Sequence, residues 1–200
     1  MAAMDTWKIM VLAIAVLFGG TVATARPVGA GSARGLVIHQ SPQPLPSFAI
    51  HDGDGNPAGI EALRGRAVVL NLWASWCPPC VAELPALDRL VPLATAKGVA
   101  VVAVSLDRGG AETVTRTFAR LGIKSLALRL ASPHAAAQQL DATALPVTLL
   151  IDARGREVAR LIGGAEWDDA KALRLLDTLA SGQPLTRDME PPPVRRGGAR

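Results

Sequence analysis

Two stretches with almost no polar residues, 67–73 and 99–106, constrain the fold of this chain more than any other feature of its sequence. A strand with one solvated face alternates apolar and polar residues, whereas a strand covered on both faces reads as a continuous apolar run. Between the two runs, Leu84, Leu87 and Val91 follow the spacing of an amphipathic helix. The order strand, helix, strand, with both strands buried, predicts parallel strands in a central sheet covered by helices.

The rest of the chain continues to alternate helical and extended segments. Gly155 lies between the last two predicted strands and is available for the positive φ that a hairpin turn requires. The pattern predicts an α/β fold with a central mixed β-sheet flanked by helices. The further predicted helices cover residues 111–121, 134–140 and 167–180, and the further predicted strands cover residues 126–130, 147–151 and 157–162.

The N-terminal segment has the features of an export signal. Lys8 precedes an apolar run over residues 9–20, and residues 23–25 have the small-x-small pattern of a signal-peptidase site. We expect residues 1–25 to be a signal peptide that is cleaved after Ala25, or alternatively an uncut N-terminal membrane anchor. Either alternative puts the rest of the chain on the outer side of a membrane, where disulfide chemistry occurs.

Two polar segments flank the body of the chain. Residues 26–44 are rich in Gly, Ser, Pro and Gln and predict a linker, and residues 183–200 predict a disordered, basic, Pro-rich tail. The folded domain is therefore expected over residues 45–182. About half of the formal net charge of +4 lies in residues 187–200, so the folded domain is nearly neutral. This distribution excludes a nucleic-acid partner, because such binding requires a basic patch.

The two cysteines of the chain, Cys77 and Cys80, stand together where the first buried strand ends and a helix begins. The N-terminus of a helix favours the nucleophilic thiolate form of a cysteine. Two intervening residues let the sulfurs meet over one helical turn, so Cys77 can attack a disulfide and Cys80 can resolve the mixed disulfide. Pro78 and Pro79 suit the first turn of a helix, and we expect them to stiffen the loop and tune its potential.

A Cys-x-x-Cys pair is also half of many zinc sites. Structural zinc requires four ligands, and His39, His51 and His134 are scattered along the chain, so no metal site is expected. A metallochaperone that binds Cu(I) through both thiolates remains an alternative of a different class. The sequence has no Gly-rich phosphate loop, and no cofactor is expected besides the redox-active pair of Cys77 and Cys80 itself.

The stretch over residues 69–85 resembles the active-site region of thioredoxin-like proteins, in particular the TlpA/ResA group of exported thiol–disulfide oxidoreductases. The resemblance extends over residues 45–180 and includes the segment Pro46-Ser47-Phe48 ahead of the first buried strand. It implies a thioredoxin-like fold. It also implies an inserted helix–strand unit over residues 111–129, which distinguishes this group from plain thioredoxins.

The resemblance also assigns roles to residues outside the cysteine pair. Pro146 would be the cis-proline that packs against the two sulfurs, although a proline at the start of a strand is common in any sheet. Leu145 would then pair through its backbone with the substrate chain and shape substrate preference. Glu83 would act as an acid or base for the Cys80 thiol, with an exposed glutamate of the first helical turns as the alternative.

Asn71 and three tryptophans are also expected in or near the site. Asn71 stands where cytosolic thioredoxins carry a buried aspartate, so proton handling would fall to Glu83 or to water. Trp73 and Trp76 are expected to form the apolar rim against which a target peptide packs, with core filling as the alternative for Trp73. Trp167 is expected to pack at the start of the last helix.

The resemblance implies a periplasmic disulfide reductase, soluble or tethered to the inner membrane, that acts on exported client proteins, for example in cytochrome or oxidase biogenesis. Its electrons would come from a membrane thiol donor. The CcmG-type reductants of cytochrome c maturation have an acidic residue after the cis-proline, whereas this chain has Val147, so the TlpA/ResA resemblance is stronger. A disulfide-forming oxidase with the same site is the alternative, because motifs do not determine redox poise.

Overall fold

In the computed structural model, the described residues are 35–186, Met189 and Pro192. The predicted signal peptide or anchor over residues 1–25, and most of the predicted tail, lie outside them. Strands and helices alternate along the described chain, as the sequence pattern predicted. The strands are β1 (Gly35–Pro44), β2 (Ile50–His51), β3 (Ala67–Trp73), β4 (Val99–Ser105), β5 (Leu130–Ala131), β6 (Val147–Ile151) and β7 (Arg156–Ile162). The helices are α1 (Pro78–Ala96), α2 (Gly110–Leu121), α3 (Pro133–Gln139) and α4 (Ala170–Ser181), and a short 3-10 helix covers Ile60–Leu63.

The strands form one mixed sheet in the order β1-β7-β6-β3-β4-β5-β2, with β3 at its centre. β3 runs parallel to β4 and ends with Trp73 opposite Ser105. On its other side β3 pairs antiparallel with β6, so that Leu72 lies opposite Val147. Every residue of β3 is buried, as its apolar run predicted. The end of β3, the end of β4 and the start of β6 therefore meet at one edge of the sheet.

Successive residues of β3 face two separate hydrophobic cores. Val69 and Trp73 belong to the core that includes residues of α1, α2 and α4, whereas Leu70 and Leu72 belong to the core that includes residues of α3. Helices thus cover both faces of the sheet, as expected. Asn71 lies between Val69 and Trp73 in this alternation, so its side chain is directed to the α1 face.

The start of α1 is determined by residues that suit a helix N-terminus. Cys77 is the N-cap, and its Sγ accepts a hydrogen bond of 3.3 Å from the backbone N–H of Cys80. Pro78 and Pro79 occupy the first helical positions, where the missing N–H groups have no partner in the helix. α1 ends just before Gly98, whose φ of 75° favours a residue without a Cβ atom.

The predicted linker over residues 26–44 is wrong for its second half, because Gly35–Pro44 form the edge strand β1. β1 pairs antiparallel with β7, and its register shifts between Ile38 and Gln43. Prolines, polar residues and irregular register are tolerated on an edge strand, which pairs on one side only. The composition that suggested a linker is therefore that of an edge strand, and the folded domain begins before residue 45.

The predicted strand over residues 126–130 is also wrong for most of its length, because β5 contains only Leu130 and Ala131. The Asp88 side chain on α1 accepts hydrogen bonds from the backbone N–H groups of Ser125 and Leu126, at 2.7 and 2.9 Å. Backbone groups that bind a carboxylate are not available to a sheet ladder. The inserted unit after β4 therefore consists of α2, an irregular segment and a very short strand.

The C-terminal part differs from the prediction at two points. α4 begins at Ala170 rather than at Trp167, because the Asp169 side chain caps it by accepting a hydrogen bond of 2.7 Å from the Lys171 backbone N–H. The predicted disordered tail over residues 183–200 is wrong for Leu185 and Met189, whose apolar side chains pack against the core on the α1 face. The other residues of the tail from 187 onward, apart from Pro192, lie outside the described residues.

Candidate active site

A tight turn between β3 and α1 delivers Cys77 to the start of the helix. The Cys77 backbone N–H donates to the Ala74 carbonyl over 3.1 Å, which closes a β-turn with Ser75 and Trp76 at its tip. The Val81 N–H donates to the Cys77 carbonyl over 3.1 Å, as in a helix. Trp76 is 68% exposed. The turn therefore presents an indole to solvent directly beside the first cysteine, and its role as a rim for a target peptide stays a prediction.

Cys77 and Cys80 form a disulfide with an S–S distance of 2.08 Å and a Cα–Cα distance of 5.3 Å. Cys77 is 4% exposed and Cys80 is completely buried, so the first sulfur is the one nearer to solvent. Between them Pro78 is exposed and Pro79 is half-buried. A disulfide in this position can take up two electrons and two protons and become a dithiol.

The peptide bond between Leu145 and Pro146 is cis, as predicted. Pro146 is buried immediately before β6, and its carbonyl accepts a hydrogen bond of 2.9 Å from the Gly163 N–H. Because Val147 lies opposite Leu72, the cis-proline is at the same edge of the sheet as the disulfide. Leu145 is half-buried and packs against both cores.

Glu83 is completely buried on α1, so the alternative of an exposed helical glutamate is wrong. Its Oε1 accepts a hydrogen bond of 2.8 Å from Asn71 Nδ2. Its Oε2 accepts hydrogen bonds of 2.8 Å from the Ala165 N–H and 3.1 Å from Trp167 Nε1. These N–H donors offset the free-energy penalty of burying a carboxylate. Glu83 is one helical turn beyond Cys80, which places the two residues on one face of α1.

Asn71 joins Glu83 to the strand that follows the cis-proline. Its Nδ2 also donates to Thr148 Oγ1 over 2.9 Å. Among the buried side-chain polar atoms of the described residues, Asn71 Oδ1 and Trp73 Nε1 have no hydrogen-bond partner. Trp73 itself is completely buried and stacks on Phe118 with 5.7 Å between ring centroids. The expectation that Trp73 helps to form the exposed rim is therefore wrong, because its position inside β3 directs it into the core.

The segment before α4 is a part of the site that sequence reasoning missed. Trp167 packs near the last helix as expected, but it also supplies one of the hydrogen bonds to Glu83, which nothing in the local sequence indicated. Gly164 lies against the first turn of α1. A Cβ atom at position 164 would be 3.3 Å from the Pro79 carbonyl oxygen and 3.7 Å from Glu83 Oε2. The close approach of two backbones explains a glycine at this position.

A second missed group holds the turn before Cys77. Asp107, after the end of β4, is 8% exposed. Its Oδ2 accepts a hydrogen bond of 2.9 Å from the Ser75 N–H, and its Oδ1 accepts one of 2.7 Å from Ser75 Oγ. Ser105 Oγ donates to Oδ2 over 2.8 Å. Polar residues just beyond two neighbouring parallel strands were the available sequence signal, because such strands end at the same edge of a sheet.

A cluster of charged residues on β1 and β7 contacts the segment between α3 and the cis-proline. Arg160 donates through Nε to Glu157 Oε1 over 2.6 Å and through Nη2 to Oε2 over 2.8 Å, and His39 Nε2 lies 2.8 Å from Oε1. Arg160 Nη1 also donates to the Leu140 carbonyl, at the end of α3, over 3.2 Å. Burial acts to raise the pKa of Glu157, but the hydrogen bonds from His39 and Arg160 outweigh it and leave this pKa below its usual value.

Two features are absent from the described residues. Across residues 35–186, Met189 and Pro192, no group of at least three His, Cys, Asp or Glu side chains is arranged to hold a metal ion. Within the same part of the chain, no helix combines the length and the apolar composition that crossing a membrane requires.

Comparison with known proteins identifies the family. The Redoxin family matches residues 40–176. The thiol-disulfide oxidoreductase ResA of Geobacillus kaustophilus is 32% identical over 120 residues, which cover 60% of this chain and 67% of that protein. ResA of Bacillus cereus is 29% identical over 118 residues, with 59% and 67% of the two chains covered.

Solved structures agree with this assignment. A candidate DsbE thiol:disulfide interchange protein from Chlorobium tepidum has a TM-score of 0.56 and 26% identity, and the match covers 70% of this chain and 96% of that one. A secreted thiol-disulfide isomerase from Corynebacterium glutamicum shares the fold, with a TM-score of 0.62, 19% identity and coverage of 76% and 95%. The chain therefore belongs to the Redoxin family, with the thioredoxin-like fold and the thiol–disulfide oxidoreductase activity of the ResA/DsbE type.

Proposed function

We propose that this chain is an exported reductase of disulfides in other exported proteins, with Cys77 as the nucleophile and Cys80 as the resolving thiol. The observation that carries the proposal is the difference between the two cysteines. Cys77 caps the N-terminus of α1 beside the exposed Trp76, whereas Cys80 is completely buried one turn further, on the helix face that also carries Glu83. A cysteine at the helix start that is nearer to solvent, followed by a completely buried cysteine on the same helix face as a carboxylate, suits two successive exchange steps.

In the first step, the Cys77 thiolate attacks one sulfur of a client disulfide. A bond forms between Cys77 Sγ and that sulfur, and the other client sulfur leaves as a thiolate that takes a proton from solvent. The N-terminus of α1 supports this step, because its N–H groups and its dipole stabilise a negative sulfur. In the disulfide form the Cys80 N–H donates to Cys77 Sγ over 3.3 Å, and the same donor is proposed to stabilise the thiolate.

In the second step, Cys80 gives up its proton and attacks Cys77 Sγ. The Cys77–Cys80 disulfide forms as the bond between Cys77 Sγ and the client sulfur breaks. That sulfur leaves as a thiolate and takes a proton from solvent, so two electrons have moved from the dithiol to the client. We assign Glu83 as the group that accepts the Cys80 proton. Its burial and its fixed hydrogen bonds to Asn71, Ala165 and Trp167 support this role, because a positioned carboxylate is an effective general base.

The client chain is proposed to bind along the edge that contains Trp76, Leu145 and Pro146. Leu145 would pair through its backbone with an extended client segment, which is a form of strand addition. Trp76 would contact client side chains beside the scissile disulfide. The exposure of Trp76 and the position of the cis-proline at the same sheet edge as the disulfide support this arrangement.

The proposed location is the periplasm, either soluble or tethered to the inner membrane, with a membrane thiol protein as the electron donor. The export pattern in residues 1–25 supports this location. The Cys77–Cys80 pair is proposed to work without a further cofactor. Clients in cytochrome or oxidase biogenesis belong to the same proposal.

The test is the reduction potential of the pair in the 200-residue chain, measured in a series of glutathione or dithiothreitol buffers. We expect a value near or below about −250 mV, in the range of thioredoxin, which corresponds to a reductase that needs a dedicated donor. A value near about −120 mV, in the range of strong oxidants, would make the chain a disulfide-forming oxidase instead. The Cys80→Ser variant, which cannot form the intramolecular disulfide, provides the baseline for the signal.

A further inference from the structure

Asp107 is a buried carboxylate that the exchange chemistry does not use. It follows β4 and has 8% of its surface exposed, and its two oxygens accept hydrogen bonds from the Ser75 N–H, from Ser75 Oγ and from Ser105 Oγ. Its own backbone N–H donates back to Ser105 Oγ over 3.1 Å. A carboxylate held this way forms a fixed link between the end of β4 and the turn that follows β3.

That link acts on the tip of the turn before Cys77. Ser75 is bound by Asp107 through both its backbone and its side chain, so the orientation of the first residue at the tip is determined. Trp76 is the second residue at the tip and is 68% exposed. Cys77 has further restraints of its own, because it caps α1 and its carbonyl accepts the Val81 N–H. Loosening the link would therefore displace Trp76 more than the sulfur of Cys77.

We propose that Asp107 and Ser75 are positioning residues that hold Trp76 in place for the polypeptide part of a disulfide-containing client. The inference rests on the proposed protein clients and on their contact with Trp76, but not on the direction of electron flow. The inference predicts that Asp107 and Ser75 strongly affect the rate of exchange with protein disulfides. They should affect exchange with a small disulfide much less, because that reaction needs access to Cys77 Sγ only.

The test compares two disulfides in the reduced 200-residue chain and its variants. Second-order rate constants are measured with insulin, a protein disulfide, and with 5,5′-dithiobis(2-nitrobenzoate), a small one. We expect Ser75→Ala to lower the rate with insulin by about tenfold, as the loss of one hydrogen bond to a charged group allows, and to lower the rate with the small disulfide less than about twofold. Ser75→Thr keeps the hydroxyl and should keep both rates within about twofold of the wild type.

A double-mutant cycle separates this role from a general effect on the fold. If Ser75 acts through Trp76, adding Ser75→Ala to Trp76→Ala should cause no further fall in the insulin rate. Additive falls, equal falls with both disulfides, or no fall at all with Ser75→Ala would each overturn the inference. Inactivity of the wild-type chain toward both disulfides would overturn the proposed function itself, so the two failures are distinguishable.

Two further variants serve as a matched control and as a second test of the link between Asp107 and Ser75. Ser132→Ala is the matched control, because Ser132 Oγ caps α3 by accepting the Ala135 N–H and is exposed. It should leave the ratio of the two rates unchanged. Asp107→Asn should lower the insulin rate at least as much as Ser75→Ala, since the amide replaces one acceptor by a donor. If Asp107→Asn does not fold, Ser75→Ala decides the question, because it keeps the backbone hydrogen bond to Asp107.

Discussion

The side-chain amide of Asn71 donates a hydrogen bond of 2.8 Å to Glu83 Oε1, and so joins the central strand to the helix that carries both cysteines. The same amide donates to Thr148 on β6 over 2.9 Å. A neutral amide can hold the glutamate in one orientation without competing with it for a proton at neutral pH. In the mechanism that we propose, Asn71 orients the carboxylate and Glu83 supplies the ionisable group, whereas cytosolic thioredoxins carry a buried aspartate at the position of Asn71.

Replacing Glu83 with glutamine should slow the second exchange step. An amide cannot accept the Cys80 proton, so we expect attack on the mixed disulfide to become about a hundredfold slower, within the usual range for a positioned base. The reduced chain is mixed with insulin, quenched with acid at successive times and analysed by mass spectrometry. In the Glu83→Gln variant the adduct between Cys77 and the client should accumulate, whereas in the wild type it should be short-lived.

The matched control for that experiment is Glu61→Gln. Glu61 is exposed on the 3-10 helix, where its Oε1 accepts a hydrogen bond from Ser47 Oγ over 3.2 Å, so its replacement should not change the adduct lifetime. An adduct that is equally short-lived in Glu83→Gln would mean that the Cys80 proton leaves by another route. Both variants are compared at a temperature where circular dichroism shows them folded.

Asn71→Asp should destabilise the protein at neutral pH and less so in acid. The substitution puts a second carboxylate at hydrogen-bond distance from Glu83 in a fully buried site, where two negative charges repel each other. We expect a loss of about 2–3 kcal/mol in the free energy of unfolding at pH 7, comparable to other buried unpaired charges. The loss should shrink as the pH falls toward 5, because one proton shared by the pair removes the repulsion.

Urea unfolding at pH 7, 6 and 5 measures this effect, with Asn56→Asp as the control. Asn56 also donates from Nδ2 to a carboxylate, that of Asp52 at 3.2 Å, but both residues lie on a loop near the surface. Solvent screening should keep the effect of Asn56→Asp below about 1 kcal/mol. A destabilisation of Asn71→Asp that does not change with pH would indicate a steric cause rather than an electrostatic one.

The sequence predicted those parts of the fold and site that depend on neighbours along the chain. The apolar run over residues 67–73 identified a buried central strand, because a strand with one solvated face would alternate apolar and polar residues. The disulfide and the cis-proline followed from local motifs and from the family resemblance. The geometry of the cap at Cys77 also followed, because strand, turn and helix are adjacent in the sequence.

Several features that the sequence did not predict depend on partners far away in the chain. Asp88 binds the backbone of Ser125 and Leu126, which are 37 and 38 residues later, and so shortens a strand that propensity alone favoured. The link from Ser75 to Asp107 depends on the parallel register of β3 and β4. The sequence places both residues just beyond two buried strands, but composition does not specify the register that brings their side chains within hydrogen-bond distance.

Gly164→Ala should destabilise the packing between the 163–167 segment and the first turn of α1. The new Cβ atom would lie 3.3 Å from the Pro79 carbonyl oxygen, and this backbone is fixed between the two cysteines. We expect a loss of about 1–2 kcal/mol in the free energy of unfolding of the oxidised chain, as for other overpacked sites. Gly53→Ala is the control, since its new Cβ would meet only the flexible Leu128 side chain at 3.4 Å. Urea unfolding that ranks Gly53→Ala as the more damaging change would contradict the argument.

The charged cluster of His39, Glu157 and Arg160 should make part of the free energy of unfolding dependent on pH. Because hydrogen bonds from His39 and Arg160 lower the pKa of Glu157 in the folded protein, this side chain stabilises the fold fully above its unfolded pKa. The contribution is lost as the pH falls through the lower, folded value. We expect Glu157→Gln to cost about 3 kcal/mol at pH 7, as for one partner of a buried ion pair. That difference from the wild type should decrease steadily below about pH 4.3, where the unfolded glutamate becomes protonated.

Urea unfolding at pH 7, 5, 4 and 3 measures the difference in the free energy of unfolding between Glu157→Gln and the wild type. Glu112→Gln, on the exposed face of α2, is the control. A difference that is constant with pH would mean that shape, and not charge, is what Glu157 contributes.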